Sequence, residues 1–143
     1  MLTFLITVIK LLVILCIVAT IHEFGHFLAA KFFKIGVNEF SIGYGPKIIQ
    51  KKFKDTMYSL RWIPLGGYVM IEGEGEESES ENSFTKKHPF KRIVVLSMGV
   101  IFNFILGFIV LITVSSFLPV YTTEITELSS NSPLIESGIE VRR

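Results

Sequence analysis

Residues 1–31 read MLTFLITVIKLLVILCIVATIHEFGHFLAAK, from Met1 to Lys31, and the fold turns on how this stretch is read. From Met1 to Ile21 it carries one charge, Lys10, and after the polar group His22 to His26 its apolar character resumes with Phe27, Leu28, Ala29 and Ala30. About 20 apolar residues suffice to cross the hydrocarbon core of a bilayer. A cleaved signal peptide would show a basic start, a shorter apolar centre and a small-residue cleavage site. None of these is clear, so a retained membrane helix is expected over residues 1–34. Lys10 is costly there, on the order of 2.5–3.5 kcal/mol at the bilayer centre. It either snorkels toward the outer interface or faces another helix or a water-filled cavity.

Outward from this stretch, the composition supports a membrane protein. Of the 143 residues 50% are hydrophobic and 19% charged, against about a quarter charged in soluble domains. A second run, Ile93 to Pro119, has no charge at all and gives a second expected span over residues 93–119. The formal net charge of +1 leaves no basic surface for a phosphate backbone, so nucleic acid is excluded as a partner and the lipid bilayer is expected as one. The single cysteine, Cys16, rules out an intrachain disulfide. Between the spans lie Lys31, Lys34, Lys47, Lys51, Lys52, Lys54, Arg61, Lys86, Lys87, Lys91 and Arg92, most of the chain's 14 basic residues. By the positive-inside rule the loop 31–92 is cytoplasmic and both ends of the chain lie outside, in the inner (cytoplasmic) membrane of a cell.

That loop is not a simple linker. Phe40, Ile42 and Tyr44 alternate, as do Tyr58, Leu60 and Trp62, which predicts strands. Pro64, Gly66 and Gly67 interrupt the second set where a turn or bulge would sit. A membrane-associated β-hairpin or small sheet is expected over residues 35–71. Residues 72–92 then form an acidic and afterwards basic loop, opening with Glu72, Glu74, Glu76, Glu77, Glu79 and Glu81. The acidic part reads as solvated, without the ligand spacing of a calcium loop.

The chemistry is carried by His22-Glu23-Phe24-Gly25-His26, the pattern H-E-x-x-H. On a helix, residues four apart share a face, so His22 and His26 can hold one zinc ion at about 2.0–2.1 Å. Zinc lowers the pKa of a bound water toward about 7, and Glu23 is placed to take its proton. Ionisable groups at membrane depth are expensive and usually functional. His26 precedes Lys31 by five residues, or about 7.5 Å of helix, which sets the site inside the membrane near its cytoplasmic face. The competing reading is that the three side chains only hydrogen-bond to neighbouring helices.

With Phe40-Ser41-Ile42-Gly43-Tyr44-Gly45, Ile63-Pro64-Leu65-Gly66-Gly67-Tyr68-Val69, and Gly99 followed by Asn103-Phe104, the chain resembles the site-2 protease family of intramembrane zinc metalloproteases, in particular its bacterial regulator of sigma-E type. The resemblance runs through the whole chain. It implies an α-helical membrane protein of two transmembrane helices, with an intervening membrane-associated hairpin and the start of an extracytoplasmic PDZ domain over residues 120–143. It implies hydrolysis of a membrane-spanning protein substrate, such as an anti-sigma factor or a signal-peptide-like segment. Under it, Zn2+ is the cofactor, His22 and His26 are metal ligands, and Glu23 is the catalytic base. The hairpin would engage extended substrate, which makes Gly66, Gly67 and Tyr68 candidate substrate contacts. Asn103 lies on a face with Gly99 and Gly107, where it would bridge helices or contribute to the active site.

Catalytic zinc usually has three protein ligands, and the family takes its third from an Asp in a Leu-Asp-Gly motif on a later transmembrane helix. Asp55 is the only aspartate here and stands in the polar loop without that motif, while His88, in a His-Pro pair among lysines, reads as an interfacial loop residue. The expectation is therefore the N-terminal portion of such an enzyme. The alternative is a non-catalytic membrane adaptor, or pseudoprotease, that keeps the scaffold to bind substrate or partner. A fragment of an ion transporter is a third reading, without the repeats or broken helices that would support it.

Overall fold

The computed structural model describes residues 1–75 and 78–118. The elements run α1 (Leu2–Phe32), β1 (Val37–Phe53), β2 (Thr56–Ile71), a single 3-10 turn at Phe84–Lys86, and α2 (Pro89–Phe117). The expected start of a PDZ domain at 120–143 lies outside the described residues. Met1–Leu111 forms one compact unit, and of the second unit, which starts at Ile112, residues 112–118 are described.

Both helices are long and apolar enough to cross a membrane. At 31 residues, α1 is about 46 Å long, more than the roughly 30 Å of hydrocarbon. Leu2 to Val18 present most of their apolar side chains outward, which is stable in lipid and costly in water. Lys10 is exposed among them. The helix is closed by a Schellman motif: the Ile35 N–H donates to the Ala30 carbonyl (2.8 Å) and the Lys34 N–H to that of Lys31 (3.1 Å), with Lys34 left-handed at φ 56°. α2 starts at Pro89, whose missing N–H costs nothing at a first helical position. It therefore takes Lys91 and Arg92 into its first turn, ahead of the uncharged run.

Where the helices meet, no side chain separates them. A Cβ on Gly25 would stand 2.4 Å from the Met98 carbonyl oxygen and 3.1 Å from the Gly99 Cα. Backbone cannot yield as a side chain can, so only glycine fits. Phe27, Ala29, Ala30, Ile35, Val37, Phe40, Ile71, Phe84 and Val95 form the buried core.

The sheet is two-stranded and antiparallel, and both strands bend. Pairing starts at Phe53↔Thr56 beside a two-residue turn, continues through Ile49↔Leu60 and Tyr44↔Ile63, and ends at Val37↔Ile71. Glu39, Phe40, Ser41 and Ile42 each have two partners: Met70, Val69, Tyr68 and Gly67 in one set, Met57, Tyr58, Ser59 and Leu60 in the other. The first half of β1 is thus flanked on both sides, and the free edges are the second half of β2 and the second half of β1. The turn falls at Lys54 (φ 52°) and Asp55, while Pro64 to Gly67 lie in the irregular stretch of the ladder. A bulge, not a turn, occupies that place. Gly66 sits there at φ 99°, where its absent side chain also leaves room for Ala19 of α1.

Two polar links tie the sheet down. Lys31 donates to Thr56 Oγ1 (2.5 Å), which donates to the Val37 carbonyl (2.8 Å), binding the last turn of α1 to the hairpin. Inside the fold-back, Arg61 donates to Glu39 (2.8 Å), to Ser41 Oγ (3.0 Å), to the Tyr68 hydroxyl (2.5 Å) and to the Gly45 carbonyl (2.8 Å), while Ser59 also donates to Glu39. Burial opposes the charge of Glu39, but hydrogen bonds from Ser59, Arg61 and Tyr68 outweigh it and hold the carboxyl below its ordinary 4.5. The hydrogen bond to Glu39 holds Arg61 above its ordinary value, and burial pushes the Tyr68 hydroxyl up.

A carboxyl that ionises at lower pH folded than unfolded stabilises fully above its unfolded pKa and loses that contribution as pH falls through its folded pKa. The sheet is therefore expected to lose stability below pH 4.5. Glu39→Gln is expected to be less stable at neutral pH and to show a smaller acid-dependent loss. Thermal unfolding in detergent from about pH 7 to about pH 3 checks both.

Candidate metal centre

His22, Glu23 and His26 occupy just over one turn of α1, beside the glycine contact with α2. The two imidazoles stand edge to face with ring centroids 4.8 Å apart. Each is held from α2 at its Nδ1. His26 Nδ1 lies 2.7 Å from the Val95 carbonyl oxygen, which can only accept, so the ring proton is on Nδ1 and the lone pair on Nε2. His22 Nδ1 lies 3.3 Å from the Asn103 carboxamide, whose Oδ1 is buried without a partner. The two ends of a carboxamide have nearly the same shape. Turning Oδ1 to His22 Nδ1 gives that oxygen a donor and leaves His22 Nε2 with its lone pair as well.

Both Nε2 atoms then face one small space. A Cβ on Gly99 would fall 2.5 Å from His26 Nε2 and 2.6 Å from His22 Nε2. The glycine keeps open the space beside both Nε2 atoms, and the Nδ1 contacts are of the kind that fixes the tautomer of a metal-binding histidine. These residues fit a pair of ligands to zinc. Among the described residues no group of three His, Cys, Asp or Glu converges to hold a metal.

Glu23 points to the sheet. The Val69 N–H donates to Glu23 Oε2 (3.2 Å), so the outer edge of β2 faces the carboxylate. Gly66, Gly67 and Tyr68 lie on the same strand just before this contact. Gly66 and Gly67 are buried, the Gly67 carbonyl accepts from the Tyr44 hydroxyl (2.7 Å), and the Tyr68 hydroxyl is engaged by Arg61. Asn103 stands at His22 rather than on β2. On its far side a cleft of about 510 Å³ runs along α2 past Val100, Phe104, Gly107 and Phe108, with His22 in its wall.

The other titratable residues weighed from the sequence are elsewhere. Asp55 is exposed in the hairpin turn, and His88 is exposed before α2, where its Nδ1 accepts the Phe90 N–H (3.3 Å) as a helix cap. Sequence reasoning missed the Val95 carbonyl and the Val69 N–H. They are backbone groups, which every non-proline residue carries, so no side chain marks them.

The family model of peptidase family M50 matches residues 10–137. A protein of Fusobacterium nucleatum named "Putative zinc metalloprotease" is 50% identical over 109 residues, covering 76% of this chain and 31% of that protein. Similarly named proteins are 39% identical over 120 residues in Clostridium perfringens (84% of this chain, 36% of that protein) and 34% identical over 137 residues in Thermotoga maritima (92% and 27%). The chain spans about a third of the length of the curated relatives it matches.

Loss of an outer contact to a metal-binding histidine typically costs 10–100-fold in affinity. Asn103→Leu is therefore expected to weaken zinc binding by about that factor, while Asn103→Asp, which still accepts from Nδ1, retains it. Chelator competition on the purified protein measures both. Equal affinity in the wild type and Asn103→Leu would remove Asn103 from the centre.

Proposed function

The chain belongs to peptidase family M50, and from that premise we propose that it carries the two histidine ligands and the catalytic base of a zinc metalloprotease that hydrolyses a peptide bond within a membrane-spanning protein. The observation that carries this reading is the convergence of His22 Nε2 and His26 Nε2 over Gly99, with both Nδ1 atoms anchored. Zinc, when bound, polarises the scissile carbonyl and acidifies the attacking water. Glu23 accepts the proton of that water and returns it to the leaving amine. The α2 backbone at Val95 and the Asn103 side chain hold the imidazoles in the ligating tautomer. A third ligand is expected from outside the described residues, as the family resemblance implies.

The outer edge of β2 is suited to receive the substrate. A membrane-spanning helix satisfies its own backbone, so cleavage requires a locally extended segment, and a free sheet edge pairs with one. At Val69 such a segment would lie against the hydrogen-bond donor that Glu23 now uses, with the peptide bond next to the base. The exposed Ile63 and Leu65 and the apolar cleft beside His22 fit a hydrophobic segment. Gly66, Gly67 and Tyr68 then shape the edge more than they contact the substrate. An anti-sigma factor or a signal-peptide-like remnant has this chemistry. The site lies in the membrane near the cytoplasmic face, with loop 31–92 inside and the N-terminus outside.

Glu23→Gln removes the base and keeps both ligands. It is expected to retain zinc and to lose about 10²–10⁴-fold in cleavage of a membrane-embedded reporter, whereas His22→Ala loses the metal itself. Elemental analysis together with the cleavage assay checks both, and wild-type turnover by Glu23→Gln would defeat the mechanism. For orientation, a cysteine at Ser78 is expected to react with an impermeant thiol reagent only from the cytoplasmic side. Labelling from outside would reverse the topology.

A further inference from the structure

The second free edge of the sheet has no role in the site just described. It is the outer half of β1, Lys47-Ile48-Ile49-Gln50-Lys51-Lys52-Phe53, followed by Lys54, and every residue from Tyr44 to Asp55 is exposed. None of its four lysines has an ion-pair partner among the described residues, where the one salt bridge is Arg61–Glu39. Lys31, bonded to Thr56 opposite Phe53, brings a further cation to this end of the sheet, and Asp55 is the one acidic residue in the turn. A purely solvated charged strand would not also expose Ile49 (62%) and Phe53 (60%), and on β2, just past the Lys47↔Arg61 pair, Trp62 is exposed as well (68%). Cations and large apolar side chains interleaved on one edge match a surface that is anionic and greasy at once.

The contacts with α1 give this edge a depth. Thr56, opposite Phe53, is tied to Lys31 at the end of the helix. Farther along β2, Gly66 meets Ala19, and Ile63, Pro64 and Leu65 border an apolar cavity of about 560 Å³ with Ile9, Leu12, Val13, Cys16 and Ile17. Lys31 to Ala19 is about 18 Å of helix. The hairpin therefore runs back along the apolar length of α1, with Lys51, Lys52 and Lys54 at its headgroup end and Trp62 toward the acyl chains.

We propose that this outer strand of β1, with the adjoining Trp62 of β2, is a docking strip for anionic lipid, in which Lys51, Lys52 and Lys54 hold the headgroup and Ile49 and Trp62 lie against the chains. The inference rests on the membrane-spanning reading of α1 and α2. Each lysine near an anionic surface is worth roughly a fivefold preference. The occupied strip would fix the sheet relative to the bilayer, and with it the Val69 edge at Glu23.

Trp62 is the only tryptophan of the sequence and reports on its own surroundings. The chain is placed in nanodiscs of phosphatidylcholine containing the same minor fraction of either brominated phosphatidylcholine or brominated phosphatidylglycerol, and quenching of Trp62 is compared. The expected result is quenching by both, clearly stronger with the anionic lipid, with the excess falling as salt is added. Lys51→Gln/Lys52→Gln/Lys54→Gln, all at exposed positions, is expected to keep the quenching by phosphatidylcholine and lose the excess. Equal quenching by the two lipids overturns the docking strip and leaves the proposed protease standing. Absence of quenching by either lipid overturns the strip together with the membrane placement of the hairpin. An excess that persists in the triple variant assigns the preference to other residues and also overturns the strip.

Discussion

The structure depends on one close approach, the crossing of α1 and α2 at Gly25 and Gly99. Helices in lipid have little hydrophobic drive to associate, so they rely on close backbone contact and a few polar bonds. Here both come from the same place. Gly25 lets the α2 backbone come near, and Gly99 leaves the gap into which His22 and His26 turn. Val95 and Asn103, four residues to either side of Gly99, then lie opposite the two rings. Helix packing and the orientation of the two imidazoles are one arrangement, because the bonds that join the helices are the bonds that hold the rings.

The sheet adds the third element of the site, and its bend makes that possible. A flat hairpin along α1 would have two similar edges. By folding back, the strands bring Arg61 to Glu39, Ser41 and Tyr68 around an otherwise unsupported charge. Compared with an apolar pair of the same shape a partly buried ion pair adds little, although removing one partner strands the other. Its geometry nevertheless specifies which strand halves lie side by side, and so which edge faces Glu23.

The two apolar spans, the H-E-x-x-H motif and the two strands are legible in the sequence because each is a property of side-chain type and spacing. Uncharged runs mark helices, a four-residue interval puts two histidines on one face, and alternation marks Phe40 to Tyr44 and Tyr58 to Trp62. The bend in the sheet is not legible, since residues Glu39 to Ile42 carry no mark of having two partners each. Arg61 reads as one more basic residue of a cytoplasmic loop until Glu39, 22 positions away, is found beside it. The hairpin turn is equally unmarked. Pro64, Gly66 and Gly67 carry the turn signal, yet the chain reverses at Lys54 and Asp55 without a glycine, because the glycines are needed where β2 passes Ala19 and Tyr44. Asn103 is visible as a polar residue in an apolar helix, but its partner is not.

The spacing of these contacts along the chain sets an order of assembly. Glu23 meets Val69 46 residues later, His26 meets Val95 after 69, and His22 meets Asn103 after 81. Synthesis delivers the motif first and its anchors last. Between them the short-range turn at Lys54 can close early, whereas the Val37↔Ile71 end of the ladder must wait for the whole hairpin. While α1 is alone, its histidines have no partner to choose their tautomer and its glutamate has no donor to hold it. The orientation of both imidazoles is therefore completed only when α2, the last of the described elements to be made, docks against α1.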